Sequence, residues 1–417
     1  MKHLFTALLL NTMTISAQAA TQAEIDSLLE RLANGGLDAN ILLYSDADRR
    51  VAFAHTDAWM PTRPLVPSHT PYALTTERDD ALLELTYQVA GETFSITQFL
   101  QREPLMGMAV VEGDTIRLEH YAKDHGPESV WVSFSVTKSF TSTLIGAALK
   151  DGFIDSIDDS LETYLPRLKG SDYGAVSIKN ILQMSSGIAW NEDYRDPKSD
   201  VSVAGTFQGT DLTDYLATLP QEHAPGTVFN YNTAESNLLG EVLRAAIGNS
   251  ATDYMNAKIW QGFGMEHPGN WMLAAPFGGE TGGCCISASI RDYARLGIFV
   301  KNGAVDAKGE PIVADGWIEA ATAASPAYAG YGYKWWLYGD KRFGARGVFA
   351  MVVDQATSVS MGIPFSSGCP IEDFDKTDSV LDQSARSERP CRNGPCPSPP
   401  ALCESLLPCF RPRSRCG

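Results

Sequence analysis

Basic charge is scarce in this chain of 417 residues: 33 lysines and arginines face 50 aspartates and glutamates, for a formal net charge of −17 at pH 7. A surface of that sign repels phosphate backbones and anionic lipid, and no basic patch with interleaved aromatics relieves it. Nucleic acid and acidic membrane surfaces are therefore excluded as partners. Histidine is rarer still, at 7 residues. There is no His-Glu-x-x-His and no cysteine spacing of a zinc site, so neither metal nor cofactor is expected. The Gly-x-Ser-x-Gly elbow of Ser-His-Asp chemistry is missing, and no histidine stands in a catalytic setting. Beyond the first twenty residues no stretch reaches the roughly 18–20 apolar residues that cross a bilayer. Cysteine is nearly absent from the body of the chain. Only Cys284 and Cys285 lie in its well-patterned part, while Cys369, Cys391, Cys396, Cys403, Cys409 and Cys416 fall near the end. An adjacent bridge in an oxidising compartment and a pair of buried thiols are both open readings of Cys284 and Cys285.

What is present is a globular composition, 44% apolar and 20% charged. Residues 1–19 read as a secretory signal: Lys2 and His3, an apolar run from Leu4 to Ile15, and the small-residue site Ala17-Gln18-Ala19. The expectation is an exported protein, periplasmic or secreted. Residues 20–104 form an N-terminal extension, with a short helix over Ala23–Ala33 and a proline-rich linker over Pro61–Pro71. Residues 105–355 carry the strong patterns. Met108–Val111 and Ile116–Tyr121 read as a hairpin about Glu112-Gly113-Asp114. Helices are expected over Val176–Met184, Ala234–Ile247 and Ile286–Val300, and neighbouring strands over Tyr331–Tyr338 and Phe343–Val353. Residues 188–208 read as a long polar loop with aromatics, the usual form of a lid. Residues 356–417 lose periodicity. Their Pro, Cys, Arg and Ser content after Pro390 is read as an out-of-frame translation or a disordered tail, with a disulfide-rich tail as the alternative.

The chemistry centres on the stretch from Trp131 to Gly152. Phe140, Leu144, Ile145 and Ala148 recur at helical spacing, and Asp151-Gly152 supplies the stop. Ser135 then sits at the first turn with Lys138 three residues on, so hydroxyl and amine share a face. A serine needs a base to become a nucleophile, and a lysine whose pKa is lowered by burial can be that base. Lys138 is set in an apolar helix, which is unusual for a solvated lysine.

Further motifs follow in order: Ile181-Leu182-Gln183-Met184-Ser185-Ser186-Gly187, then Pro225-Gly226-Thr227-Val228-Phe229-Asn230-Tyr231. After them come Gly282-Gly283-Cys284-Cys285 with Arg291-Asp292-Tyr293-Ala294-Arg295, and Phe343-Gly344-Ala345-Arg346-Gly347. With Ser135-x-x-Lys138 they make the chain resemble the serine hydrolases of the class C β-lactamase superfamily. Within that superfamily it is most similar to the 6-aminohexanoate-dimer hydrolase and esterase branch. The resemblance covers roughly residues 105–349.

It implies an α+β, β-lactamase/transpeptidase-like fold: an antiparallel sheet flanked by helices, a mostly helical lobe, and an active site in the cleft between. It implies Ser135 as acylated nucleophile, Lys138 as its proton partner and Tyr231 as the second acid–base group, held toward phenolate by the ammonium. The backbone N–H groups of Ser135 and Val348 would form the oxyanion hole. Tyr194 would close over a small-molecule amide or ester substrate, with Thr233 and Arg346 as further contacts. Two departures bear on substrate. Thr233 stands where β-lactamases and D,D-peptidases of this group carry Asn, and Ala345-Arg346-Gly347 replaces Lys-Thr-Gly. Both favour a linear amide or carboxylic ester over a β-lactam. A D,D-peptidase or β-lactamase is the alternative, and an inactive penicillin-binding-type sensor or binding protein is the alternative of another class.

Overall fold

The computed structural model describes residues 20–362 apart from 38–39, 90, 103–104, 123–124, 208–209, 340, 349–350 and 355–357. The signal segment and the tail beyond residue 362, with its six cysteines, lie outside the described residues. No helix among the described residues is long and apolar enough to cross a membrane.

The strands in chain order are β1 (Thr62–Leu65), β2 (Thr75–Thr76), β3 (Thr86–Val89), β4 (Glu92–Ser95), β5 (Gly107–Glu112), β6 (Thr115–Tyr121) and β7 (Val130–Val132). After the helical portion come β8 (Gly269–Met272), β9 (Ile286–Ser289), β10 (Trp336–Leu337), β11 (Phe343–Gly347), β12 (Met351–Asp354) and β13 (Ser358–Gly362). They pair in the orders β1-β8-β9-β7, β10-β11-β12, β13-β5-β6-β2 and β3-β4. All pairs are antiparallel except β2 with β6. The hairpin read from Met108 to Tyr121 is β5 and β6. Alternation along β6 buries Ile116 and Leu118 and leaves Thr115 and Arg117 half-buried. The helix Ile290–Lys301 lies over β5, β9, β12 and β13 and ties these strands into one layer.

Three readings of the sequence are corrected. The proline-rich segment at Pro61–Pro71 is not merely a linker: Thr62–Leu65 adds to β8 as an edge strand, with Pro64 opposite Asn270. An edge tolerates proline because one side of the strand needs no donor. The N-terminal extension therefore completes a sheet of the body. The span Ile286–Val300 is a strand and then a helix. Ser289 breaks it by accepting the Asp292 N–H at 3.1 Å as an N-cap, a signal the continuous apolar run conceals. The loop 188–208 also contains a helix, Asp200–Ala204, capped by Ser199.

The helix Thr137–Lys150 is buried from Thr137 through Ala148, polar residues included, and packs against the helix Thr233–Ile247. Its apolar side forms core through Phe140, Leu144, Ile145 and Ala148, all fully buried. Its hydroxyls are buried too, and such groups are tolerated inside only when hydrogen-bonded. Thr141 donates to the Gly282 carbonyl at 2.8 Å, while the Thr137 hydroxyl accepts the Cys285 and Ile286 N–H groups at 2.7 and 3.0 Å. Ser139 and Ser142 donate to the Lys334 and Tyr333 carbonyls, both at 2.7 Å. These hydroxyls dock segments 282–286 and 333–334 onto the helix, and both segments belong to the site.

Candidate active site

Ser135 arrives on a 3-10 turn, Phe134–Val136, which precedes the α-helix instead of forming its first turn. Phe134 holds that turn at φ +46°, a left-handed conformation disfavoured for a side chain with a Cβ. Its ring is buried edge-on against Phe53, centroids 4.9 Å apart, and this packing offsets the local strain. Strand β11 runs beside the turn, so Val348, the residue after the strand, follows on from the serine's neighbourhood.

Lys138 Nζ lies 2.8 Å from Ser135 Oγ and 2.8 Å from the Gly283 carbonyl oxygen. The two partners fix the amine between nucleophile and backbone. Gly283 is required by space. A Cβ there would stand 2.7 Å from the Thr233 carbonyl oxygen, and one at Gly282 would stand 2.3 Å from that of Ser236. Only glycines let this segment pass so close to the Thr233–Ile247 helix. Asn237 Oδ1 accepts the Gly283 N–H at 2.9 Å and steadies the turn. Burial lowers the Lys138 pKa to about 8, against some opposition from Glu192. The free amine is a minority at pH 7 and becomes substantial at about pH 8 and above.

Tyr231 is the third member, with Lys138 Nζ 5.3 Å from its ring centroid. Burial pushes its phenol up, a hydrogen bond with Ser135 pulls it partly back, and Glu192 raises it further. Burial thus works against the phenolate that the resemblance implies and favours the protonated phenol of Tyr231. Its ring stacks on Trp336 at 5.9 Å and 19°. Arg346 also neighbours Trp336, its guanidinium carbon 5.9 Å from the Trp336 ring and 4.5 Å from that of Tyr338, and Nε donates to the Tyr338 hydroxyl at 2.7 Å. Tyr231 and Arg346 thus share Trp336 as a neighbour.

Tyr194 and Thr233 meet. The two hydroxyls lie 3.0 Å apart, and Tyr194 also donates to Glu192 Oε1 at 2.7 Å. Thr233 opens the Thr233–Ile247 helix, its N–H donating to Glu192 Oε2 at 3.1 Å and its hydroxyl to Oε1. The Trp190 indole N–H donates to the same carboxylate. From the N-terminal extension, Asn40 Nδ2 donates to the Tyr194 carbonyl at 3.3 Å. Tyr194 is therefore anchored at both its hydroxyl and its backbone.

Several residues escaped the sequence reading. Glu192 looked like one acid in a polar loop. Lys334 lay in an aromatic strand pattern, yet it is buried, takes φ +64° and sends Nζ to within 2.9 Å of Met184 Sδ. Burial lowers its pKa to about 7, Glu235 opposes this, and Lys138 adds like-charge repulsion. Glu235 is buried on the Thr233–Ile247 helix. Burial raises it to about 7, while Lys334 and a Ser186 hydrogen bond pull it down. Buried acids and amines shifted toward neutrality beside a nucleophile are a recognisable site signature, but periodicity does not carry it. The Cys284 and Cys285 sulfurs lie together as an adjacent pair.

Residues 95–378 match the beta-lactamase family. A 6-aminohexanoate-dimer hydrolase of Paenarthrobacter ureafaciens is 28% identical over 262 residues, 57% of this chain and 66% of that protein. A beta-lactamase of Pseudomonas fluorescens is 25% identical over 176 residues, 42% of this chain and 44% of that protein. The chain thus spans under two thirds of either curated relative. Among solved structures, a Bacillus anthracis protein named for 6-aminohexanoate-dimer hydrolase superposes with a TM-score of 0.72 at 18% identity. That superposition covers 82% of this chain and 95% of the other, and it speaks to fold alone.

Proposed function

Because the chain belongs to the beta-lactamase family, we propose that it is a serine hydrolase that cleaves a linear amide or carboxylic ester through an acyl-Ser135 intermediate. The observation that carries this reading is the 2.8 Å contact between Ser135 Oγ and the buried Lys138 amine. Lys138 takes the Ser135 proton as Oγ attacks the substrate carbonyl carbon. The oxygen of that carbonyl gains negative charge, and the N–H groups of Ser135 and Val348 receive it. As the C–N or C–O bond breaks, the neutral Tyr231 phenol gives its proton to the departing amine or alcohol. The Lys138 ammonium then restores the phenol proton. Water attacks the acyl-serine in the second half, with Lys138 again taking a proton, and Ser135 leaves reprotonated.

The proposed substrate class is supported by the relative named for 6-aminohexanoate dimer and by Thr233, bonded to Tyr194, standing where the resemblance places Asn in β-lactamases. The aromatic wall of Tyr231 and Trp336 offers an apolar face to an alkyl chain, with Arg346 beside Trp336. Arg346 also keeps the β-lactamase reading in play, since a guanidinium can hold a carboxylate where that family uses lysine. Export from the cell is part of the same proposal.

The test is covalent labelling with a fluorophosphonate probe, located by peptide mapping, together with turnover of a short-chain nitrophenyl ester and of nitrocefin. A single adduct on Ser135 and ester turnover are expected, both lost in Ser135→Ala. The rate should rise with pH through about 8, as Lys138 gives up its proton. Well-folded wild-type protein without an adduct overturns the enzyme reading and leaves a binding relative. Nitrocefin turnover comparable to ester turnover moves the assignment to β-lactamase.

A further inference from the structure

Among the described residues Glu192 is the carboxylate that touches both Tyr194 and Thr233, and its oxygens are fully used. Oε1 accepts the Tyr194 hydroxyl at 2.7 Å and the Thr233 hydroxyl, and Oε2 accepts the Thr233 N–H at 3.1 Å and the Trp190 indole N–H. An ionised carboxylate accepts about four hydrogen bonds, so none is left for a substrate. Its charge still reaches the reacting groups: it favours the ammonium form of Lys138 and disfavours ionisation of Tyr231. A base held beside its nucleophile gains from a third group that orients it and balances the charge it acquires.

We propose that Glu192 is a positioning residue that pins Tyr194 and Thr233 at the site and acts as fixed counter-charge when Lys138 takes the Ser135 proton. The proposal rests on the serine-hydrolase reading above. Taking a proton into a buried site forms an ammonium away from water, which is unfavourable without a nearby anion. The other groups facing Lys138 do not supply a settled one. Ser135 and the Gly283 carbonyl are its neutral hydrogen-bond partners, and burial disfavours an anionic Tyr231. Lys334 approaches from the 333–334 segment with like charge, and Glu235 on the Thr233–Ile247 helix interacts with Lys334, its own charge disfavoured by burial. Glu192, locked by donors from three residues, keeps its place as the proton moves.

The experiment is the pH dependence of fluorophosphonate labelling of Ser135 in the full chain, for wild type, Glu192→Gln and Glu192→Asp, each checked by thermal melting. Removing the anion makes the Lys138 ammonium less favourable. Glu192→Gln should therefore move the labelling midpoint to lower pH by about one unit and cut the plateau rate about tenfold or more. Glu192→Asp keeps the charge but shortens the reach, so its midpoint should stay at the wild-type value while its rate falls. Glu192→Ala with added formate supplies a second route, in which the small carboxylate should return the midpoint upward. A Glu192→Gln midpoint equal to wild type reduces Glu192 to a structural contact and overturns the proposal, as does an unchanged rate. An unmoved midpoint in labelled protein overturns this inference alone, whereas wild type without any adduct overturns the hydrolase reading as well.

Discussion

Two buried polar clusters in this molecule treat charge in opposite ways. Around Asp292, the carboxylate accepts the Glu266 and His267 N–H groups at 2.8 and 2.9 Å, the Ser289 hydroxyl at 2.9 Å and Arg295 Nη1 at 3.0 Å. Arg295 in turn donates to Glu266 at 2.6 Å and to the Tyr72 carbonyl at 2.9 Å. Burial alone would raise the Asp292 pKa, but His267, Arg295 and the backbone donors outweigh it and hold it below the ordinary value. Around Lys138, partners are fewer. Lys334 has a methionine sulfur at hydrogen-bond distance, and Glu235 Oε2 has no hydrogen-bond partner among the described residues. There burial wins, and the two lysines and Glu235 shift toward neutrality. A saturated cluster keeps its charge and holds elements together. An under-partnered one can exchange protons near neutral pH, which suits acid–base chemistry.

The sharpest way to break this contrast is to remove the amine that is proposed to react. Lys138→Met should lower the Ser135 labelling rate by roughly 10²–10⁴-fold, the range of a lost general base. The protein should stay folded with only a modest fall in melting temperature, since the Gly283 carbonyl loses its Lys138 donor but no direct ion pair is broken. A variant that unfolds would instead place Lys138 among the structural charges.

Asp292→Asn should do the reverse. Breaking one side of a buried pair costs about 3–5 kcal/mol. Labelling kinetics of the protein that remains folded should be unchanged. The sign with pH also differs. A carboxylate held below its ordinary value stabilises the fold above that value and loses the contribution as pH falls through its folded pKa. Wild type should therefore lose stability in acid more steeply than Asp292→Asn, as measured by melting between about pH 2 and 6.

The smallest effect tests the under-partnered side by stability. Lys334 titrates at about 7 in the folded chain against 10.5 for an ordinary lysine. Between those values the unfolded chain binds the extra proton, so this residue weakens the fold increasingly as pH drops toward 7. Lys334→Met fills similar volume without the amine. It should raise the melting temperature by roughly 2–5 °C at pH 6 and by much less at pH 10. An equal gain at both pH values would mean that packing, not the amine, is responsible.

Much of the fold was legible in order along the chain. The apolar spacing of Phe140, Leu144, Ile145 and Ala148 gave the central helix, and alternation gave the hairpin of β5 and β6, because both patterns are local consequences of backbone geometry. The same local logic put Ser135 and Lys138 on one face. It missed β1, where a strand forms only because β8 supplies a partner for a proline-bearing edge. It missed the break at Ser289, where a cap lies hidden in an apolar run.

Sequence by itself determined the acidic surface, the serine–lysine spacing at Ser135 and Lys138, the glycines at 282 and 283, and the family these motifs resemble, since each is carried by neighbours in the chain. Tertiary structure alone decided that Glu192 fastens Tyr194 to Thr233, that Lys334 is buried near Lys138 with Glu235 near Lys334, and that burial disfavours ionisation of Tyr231. The reason is physical. A side chain's charge state depends on how much water it loses and which groups replace that water. Here those groups come from segments as far apart as residues 192 and 334, the latter docked by the buried hydroxyls of the Thr137–Lys150 helix and the former tied to Thr233.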